Sequence, residues 1–176
     1  VITLRELANW EDRLLHTVER AGGDVEERDR LLESRGVYAD YAAIFQTYVD
    51  YVDRVVDPSE VAESLKRAVF ISWYAAAAPS VLSGIGELPE LGVRTIGERV
   101  DALCRGGALD PELAVMLPHY YAGADFALTR LADLRDLVRH ASSIDPVAWR
   151  AEGWTAERFV DRGQMGRYWR KLVAGR

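Results

Sequence analysis

Apolar residues recur along this chain at spacings of three and four, punctuated by Gly-Gly and Asp-Pro pairs, and that rhythm predicts helices throughout. Leu4, Leu7, Leu14, Leu15 and Val18 share one face of a first helix. Thr3 and Glu6 are placed to open it as a capping box, and Gly22-Gly23 stops it. Asp24 is positioned to cap a second, short helix ending at Gly36. From Val37 to Val56, Tyr41, Ile44, Phe45, Tyr48, Val52 and Val55 line one side and Asp50, Asp53 and Asp57 the other. The run from Ala68 to Leu82 is different, because it is apolar on nearly every face. A helix of that kind must be covered on all sides. Residues 68–78 are therefore expected to be the buried centre of the fold.

Three Asp-Pro pairs, at 57–58, 110–111 and 145–146, each put a good cap before a proline at the first helical position. Glu60 is expected to complete a capping box with Asp57. Thr95 and Glu98 form another such pattern and predict a short helix that closes at Gly106-Gly107. From Pro111 to Ala141 a seam of Leu117, Tyr120, Ala124, Ala127, Leu131, Leu134 and Val138 predicts one long helix, kinked or restarted at Pro118. Its alanines are expected to pack against Ala75–Ala78. A last helix is expected from near Thr155, bent around Gly163 and Gly166. No segment shows strand-like alternation and no repeat is visible. The expected architecture is all-α, a single domain over 1–176 with about five to seven helices around the 68–78 segment.

Composition narrows the classes further. With 49% hydrophobic and 28% charged residues the chain is an ordinary globular one, and its net charge of −6 argues against general nucleic-acid binding. The long apolar run is broken by Ser72 and closed by Pro79, short of the ~20 residues that cross a bilayer. No membrane partner is expected. Cys104 is the lone cysteine, which fits a reducing cytoplasm. Charge is unevenly spread. Residues 150–176 carry seven basic side chains against Glu152, Glu157 and Asp161, interleaved with Trp149, Trp154, Tyr168 and Trp169, whereas residues 37–65 hold six acids and only Arg54. The basic aromatic tail is expected to dock on the acidic body, in the same chain or a twofold mate; contact with nucleic acid is the alternative.

Candidate chemistry is sparse. His16, His119 and His140 lack both paired-histidine spacing and a Glu-x-x-His motif. On one continuous helix His119 and His140 would lie ~30 Å apart, too far to share an ion. No metal, cofactor or catalytic residue is therefore expected. Ser83-Gly84-Ile85-Gly86 matches no phosphate-binding fingerprint; its glycines are expected to turn the chain, with Val81, Leu82 and Ile85 pinned to the core. The leading expectation is a non-catalytic interaction module, an adaptor, regulator or inhibitor, using Asp50, Asp53, Asp57, Arg162, Arg167 and Arg170 toward a protein partner or a second copy. The alternative is a small-ligand pocket or enzyme site at one end of the bundle, near Trp73, Tyr74, Glu87, His119, Tyr121 and Asp125.

Overall fold

The computed structural model describes residues 2–129 and 133–175 and is all-helical among them. Ten α-helices run Leu4–Arg20 (α1), Val25–Ser34 (α2), Val37–Arg54 (α3), Pro58–Ala77 (α4), Ser80–Ser83 (α5), Glu90–Gly106 (α6), Pro111–Gly123 (α7), Asp125–Thr129 (α8), Arg135–Ser143 (α9) and Gly163–Ala174 (α10). Two short 3-10 turns, Ala148–Glu152 and Ala156–Phe159, lead into α10. The chain is divided more finely than five to seven helices because two of the expected long elements are broken.

The bundle is organised round α4, which touches α3, α5, α6, α7, α8 and α10. Burial is continuous from Ser64 to Ile71 and includes Trp73, then relaxes to half-buried at Tyr74, Ala75 and Ala76. The wholly covered stretch thus begins earlier than the apolar run and takes in Lys66 and Arg67. Their charges are matched inside the fold, as described below.

Local side-chain caps hold at the starts of α1, α2, α4 and α7. Thr3 and Glu6 exchange both capping-box hydrogen bonds, as do Asp24 and Glu27. Asp57 accepts from the Ser59 amide, but Glu60 instead takes the Tyr51 hydroxyl, so the expected box does not form. Asp145 accepts the Val147 amide in the turn that precedes a 3-10 helix and caps no helix. Thr95 lies inside α6 and donates back to the Leu91 carbonyl, while Glu98 pairs with Arg94. The Thr-x-x-Glu spacing is also an ordinary i, i+3 spacing within a helix, and the helix has already begun at Glu90 after Pro89.

The larger correction concerns 111–141. The helix ends at Gly123, Ala124 takes a non-helical conformation (φ −161°, ψ 77°), and α9 packs against α7 and α6. His140 Nε2 comes within 3.0 Å of the Ala114 carbonyl oxygen, so the chain has folded back and the straight-rod separation of the histidines does not apply. Leu131 of the expected seam lies outside the described residues. Ala124 and Ala127 are buried, and α8 packs on α4. The last long helix begins at Gly163, not near Thr155.

A remote group fixes where α9 starts. Leu134 offers no side-chain cap, and the free amides of Asp136 and Leu137 instead donate to Asp101 Oδ1 on α6 at 2.8 and 2.9 Å. Asp101 is buried, and its other oxygen takes Arg105 at 2.6 Å. Removing this acceptor leaves two helix-terminal amides without it. Asp101→Ala is expected to lower the unfolding free energy by about 2–3 kcal/mol in urea titrations, and Asp101→Asn, which keeps one acceptor, by about half as much. A loss under about 0.5 kcal/mol for the alanine variant would contradict the role.

Candidate functional site

Charged side chains converge beneath the C-terminal segment. On α4, Glu63, Lys66 and Arg67 lie within one turn; Glu112 follows at the start of α7; Arg158 and Arg162 come from the stretch leading into α10. Arg162 reaches Glu63 at 2.5 and 2.8 Å and Glu112 at 2.6 and 3.1 Å. Glu112 also receives Arg158 at 2.6 Å and Lys66 at 2.8 Å. Arg67 donates to Glu63 at 2.7 Å, to the Leu4 carbonyl at 2.8 Å and to the Asp161 carbonyl at 3.3 Å. Burial works against the carboxylates, but these cations outweigh it: Glu112 is held down at about 2, and Glu63 also lies below the usual carboxylate range. Each charged side chain in this group meets at least one of opposite sign, and Lys66 also lies 3.4 Å from Asp110. Chemically it is a clamp rather than a reactive centre, because neither carboxylate is left as a base near neutral pH.

Arg67 connects the clamp to a second buried carboxyl. Its guanidinium donates to the Tyr48 hydroxyl at 3.3 Å, and Tyr48 donates to Glu11 Oε1 at 2.5 Å. Glu11 Oε2 accepts the Gln164 amide at 2.8 Å. Gly163 has φ +58°, and a Cβ there would lie 2.6 Å from the Glu11 carboxylate, so the close approach requires glycine. Burial pushes Glu11 up to about 7 despite these bonds. Glu11 sits on the same helical face as Leu7, Leu14 and Val18. A glutamate on an apolar stripe was the available sequence signal for this site.

Beside the clamp lies an aromatic cluster. Trp73 stacks on Tyr120 with centroids 4.7 Å apart, and His119 lies 5.0 Å from Trp169. Trp169 donates to the Tyr120 hydroxyl at 2.8 Å. His119 Nε2 is 2.7 Å from the Tyr168 hydroxyl, and burial lowers its pKa against the pull of the Pro146 carbonyl. A neutral ring accepting the Tyr168 proton fits both observations.

The six residues expected to line one pocket are divided among several places. Trp73, Tyr74 and His119 belong to the aromatic cluster. Glu87 lines a cavity of about 490 Å³ between the end of α4 and α6, with Ala75, Ala76 and Arg94. Tyr121 is half-buried against the core, while Asp125 is exposed and accepts the Phe126 amide. Among the residues expected to meet a partner, Asp53 and Asp57 are exposed and Asp50 is half-buried, held by Gln46 at 2.8 Å. Arg170 is exposed, Arg167 pairs with Glu19 at 2.7 Å, and Arg162 is enclosed in the clamp. Ser83 is buried, with its hydroxyl donating to Pro79 and accepting from Ile85; Ile85 is buried, Val81 is half-buried and Leu82 faces solvent. Among the described residues no three His, Cys, Asp or Glu side chains are grouped so as to hold a metal ion, and no helix is long and apolar enough to cross a membrane.

Comparison of the chain with protein-family models, with curated proteins and with solved structures finds no match.

The two kinds of buried carboxyl titrate with opposite effect. Glu63 and Glu112, depressed in the fold, stabilise it above the unfolded value near 4.5, and that contribution is lost as pH falls toward 2. Glu11, raised to about 7, imposes no penalty below 4.5 and an increasing one as pH climbs from 4.5 through 7. Glu11→Gln keeps the shape and can still meet Tyr48 and Gln164. Its stability relative to wild type is expected to grow by about 2 kcal/mol between pH 5 and pH 8. A difference that stays flat across that range in urea titrations would contradict the buried, titrating Glu11.

Proposed function

We propose that this protein is a non-catalytic helical binding module, an adaptor, regulator or inhibitor, that engages a protein partner at the corner between α3 and α4. The observation that carries the reading is Val56. It is 93% exposed and lies between Asp53 and Asp57, with Glu60 one turn beyond. The corner is braced: Asp57 takes the Ser59 amide and hydroxyl at 2.8 and 2.7 Å, and Tyr51 donates to Glu60 at 3.2 Å. An apolar side chain held out within an acidic rim suits a basic partner surface carrying an apolar contact. The rim sets orientation and encounter rate more than affinity.

Two alternatives draw less support. For nucleic acid, the aromatics needed for stacking are unavailable: Trp149, Trp154 and Trp169 are buried, and Arg158 and Arg162 are occupied by Glu112 and Glu63. For a second copy, Arg162 is enclosed in the clamp and Arg167 is paired with Glu19, which leaves only Arg170 of the three arginines expected to meet the acidic corner. A cytoplasmic setting accords with the reading, because a lone cysteine, Cys104, suits a reducing compartment; burial and the nearby Asp101 and Asp136 push its thiol up to about 11, which disfavours the thiolate.

Replacing Val56 by the photo-cross-linker p-benzoylphenylalanine in the source cell is expected to capture one discrete protein. Adding Asp53→Lys should reduce that adduct at least tenfold. The same cross-linker at Val25, also exposed, serves as control. No discrete adduct at position 56, or the same adduct from both positions, would overturn the proposal.

A further inference from the structure

A second concavity, of about 430 Å³, lies where α1, α2, α5 and α10 meet the side of α4. That volume falls in the range of small-molecule sites. Its electrostatics run against those of the whole chain, which carries −6. Arg28, Arg167 and Lys171 line it against one acid, Glu19. Glu19 is taken by Arg167 at 2.7 Å. Arg28 is fastened to neutral groups instead, donating Nε to the Val81 carbonyl and a terminal nitrogen to the Val18 carbonyl, both at 2.7 Å. Lys171 has no carboxylate within ion-pair distance among the described residues. Two cations therefore face the concavity without an internal counter-charge.

The walls are apolar and partly aromatic. Tyr74 and Tyr168 stand 5.8 Å apart edge to face, and Leu82 is 61% exposed beside them. Tyr168 turns its hydroxyl to His119, which leaves ring surface as its contribution here. Lining the same concavity is Gln164, only 5% exposed. Its Nε2 donates to the Ser83 carbonyl at 2.8 Å, but its Oε1 is buried with no hydrogen-bond partner among the described residues. An acceptor left unmatched in this way is costly and would be satisfied by a ligand that brings a donor.

Three complementary features follow: a negative group for Arg28 and Lys171, a flat or aliphatic body for Tyr74, Tyr168 and Leu82, and an N–H or O–H for Gln164. We propose that this concavity is a binding site for a small organic anion with an apolar body and one hydrogen-bond donor. The site is separate from the α3–α4 corner and does not rest on the partner reading.

A matched pair of probes tests it. Anilinonaphthalenesulfonate has the anion, the aromatic body and the N–H; N-phenyl-1-naphthylamine has the body and the N–H without the anion. Fluorescence titration of the native protein is expected to show saturable binding of the sulfonate at one site. Lys171→Glu, at an exposed residue without an internal partner, should weaken the sulfonate about tenfold and leave the neutral probe within about twofold. Leu82→Asp should weaken both probes, and the Asp53→Lys variant neither. No saturable sulfonate binding overturns the site. So does binding indifferent to Lys171→Glu and Leu82→Asp, or a Lys171→Glu effect equal for both probes.

Discussion

The contact between Arg162 and the carboxylates of Glu63 and Glu112 is the constraint on which the rest of this structure depends. Two acids on neighbouring helices, α4 and α7, point into an interior where an uncompensated charge would be very costly. Lys66 and Arg67 answer part of that charge from α4 itself. The hydrogen bonding of the two carboxylates is completed by Arg158 and Arg162, which stand about a hundred residues further along the chain than Glu63. The stretch before α10 therefore has to lie where it does. Once it is there, Phe159 and Trp169 complete an aromatic layer that Trp73 and Tyr120 could not close alone. Electrostatic matching places the last segment, and apolar burial then holds it.

That order explains what the sequence discloses and what it conceals. Caps such as Thr3–Glu6 and Asp24–Glu27 are legible because both partners sit within one turn, and so is the α1 stripe. The central place of α4 follows from an apolar surface that has to be covered. By contrast, the break after Gly123 is not legible, because the heptad rhythm continues through it. What fixes the start of α9 is an acceptor on α6, Asp101, more than thirty residues away. Thr95 and Glu98 mislead for the opposite reason: a local pattern is present, but the preceding turn has already fixed the helix.

The candidate sites divide in the same manner. The contrast between an acidic 37–65 region and a basic tail is visible in the sequence, but which charges face each other and which face water is not. Arg162 is turned inward and Arg158, itself exposed, reaches Glu112 from the surface, while Asp53 and Asp57 remain outside. Tyr74 and Glu87 belong to different concavities, although they are only thirteen positions apart, because α5 and its flanking loop turn between them. The surfaces left for recognition are thus the ones the internal matching does not use: an acidic corner and a cationic, aromatic-walled hollow.

A double-mutant cycle on Glu112→Gln and Arg162→Met, read by urea unfolding at pH 7, tests most directly whether this buried contact governs the fold. Each single substitution is expected to cost about 3 kcal/mol, because it leaves an opposite charge under-compensated in the interior. The pair is expected to cost clearly less than the sum, with a coupling of about 2 kcal/mol. Costs that add to within about 0.5 kcal/mol would show that the two side chains act independently, contradicting the central role given to their contact.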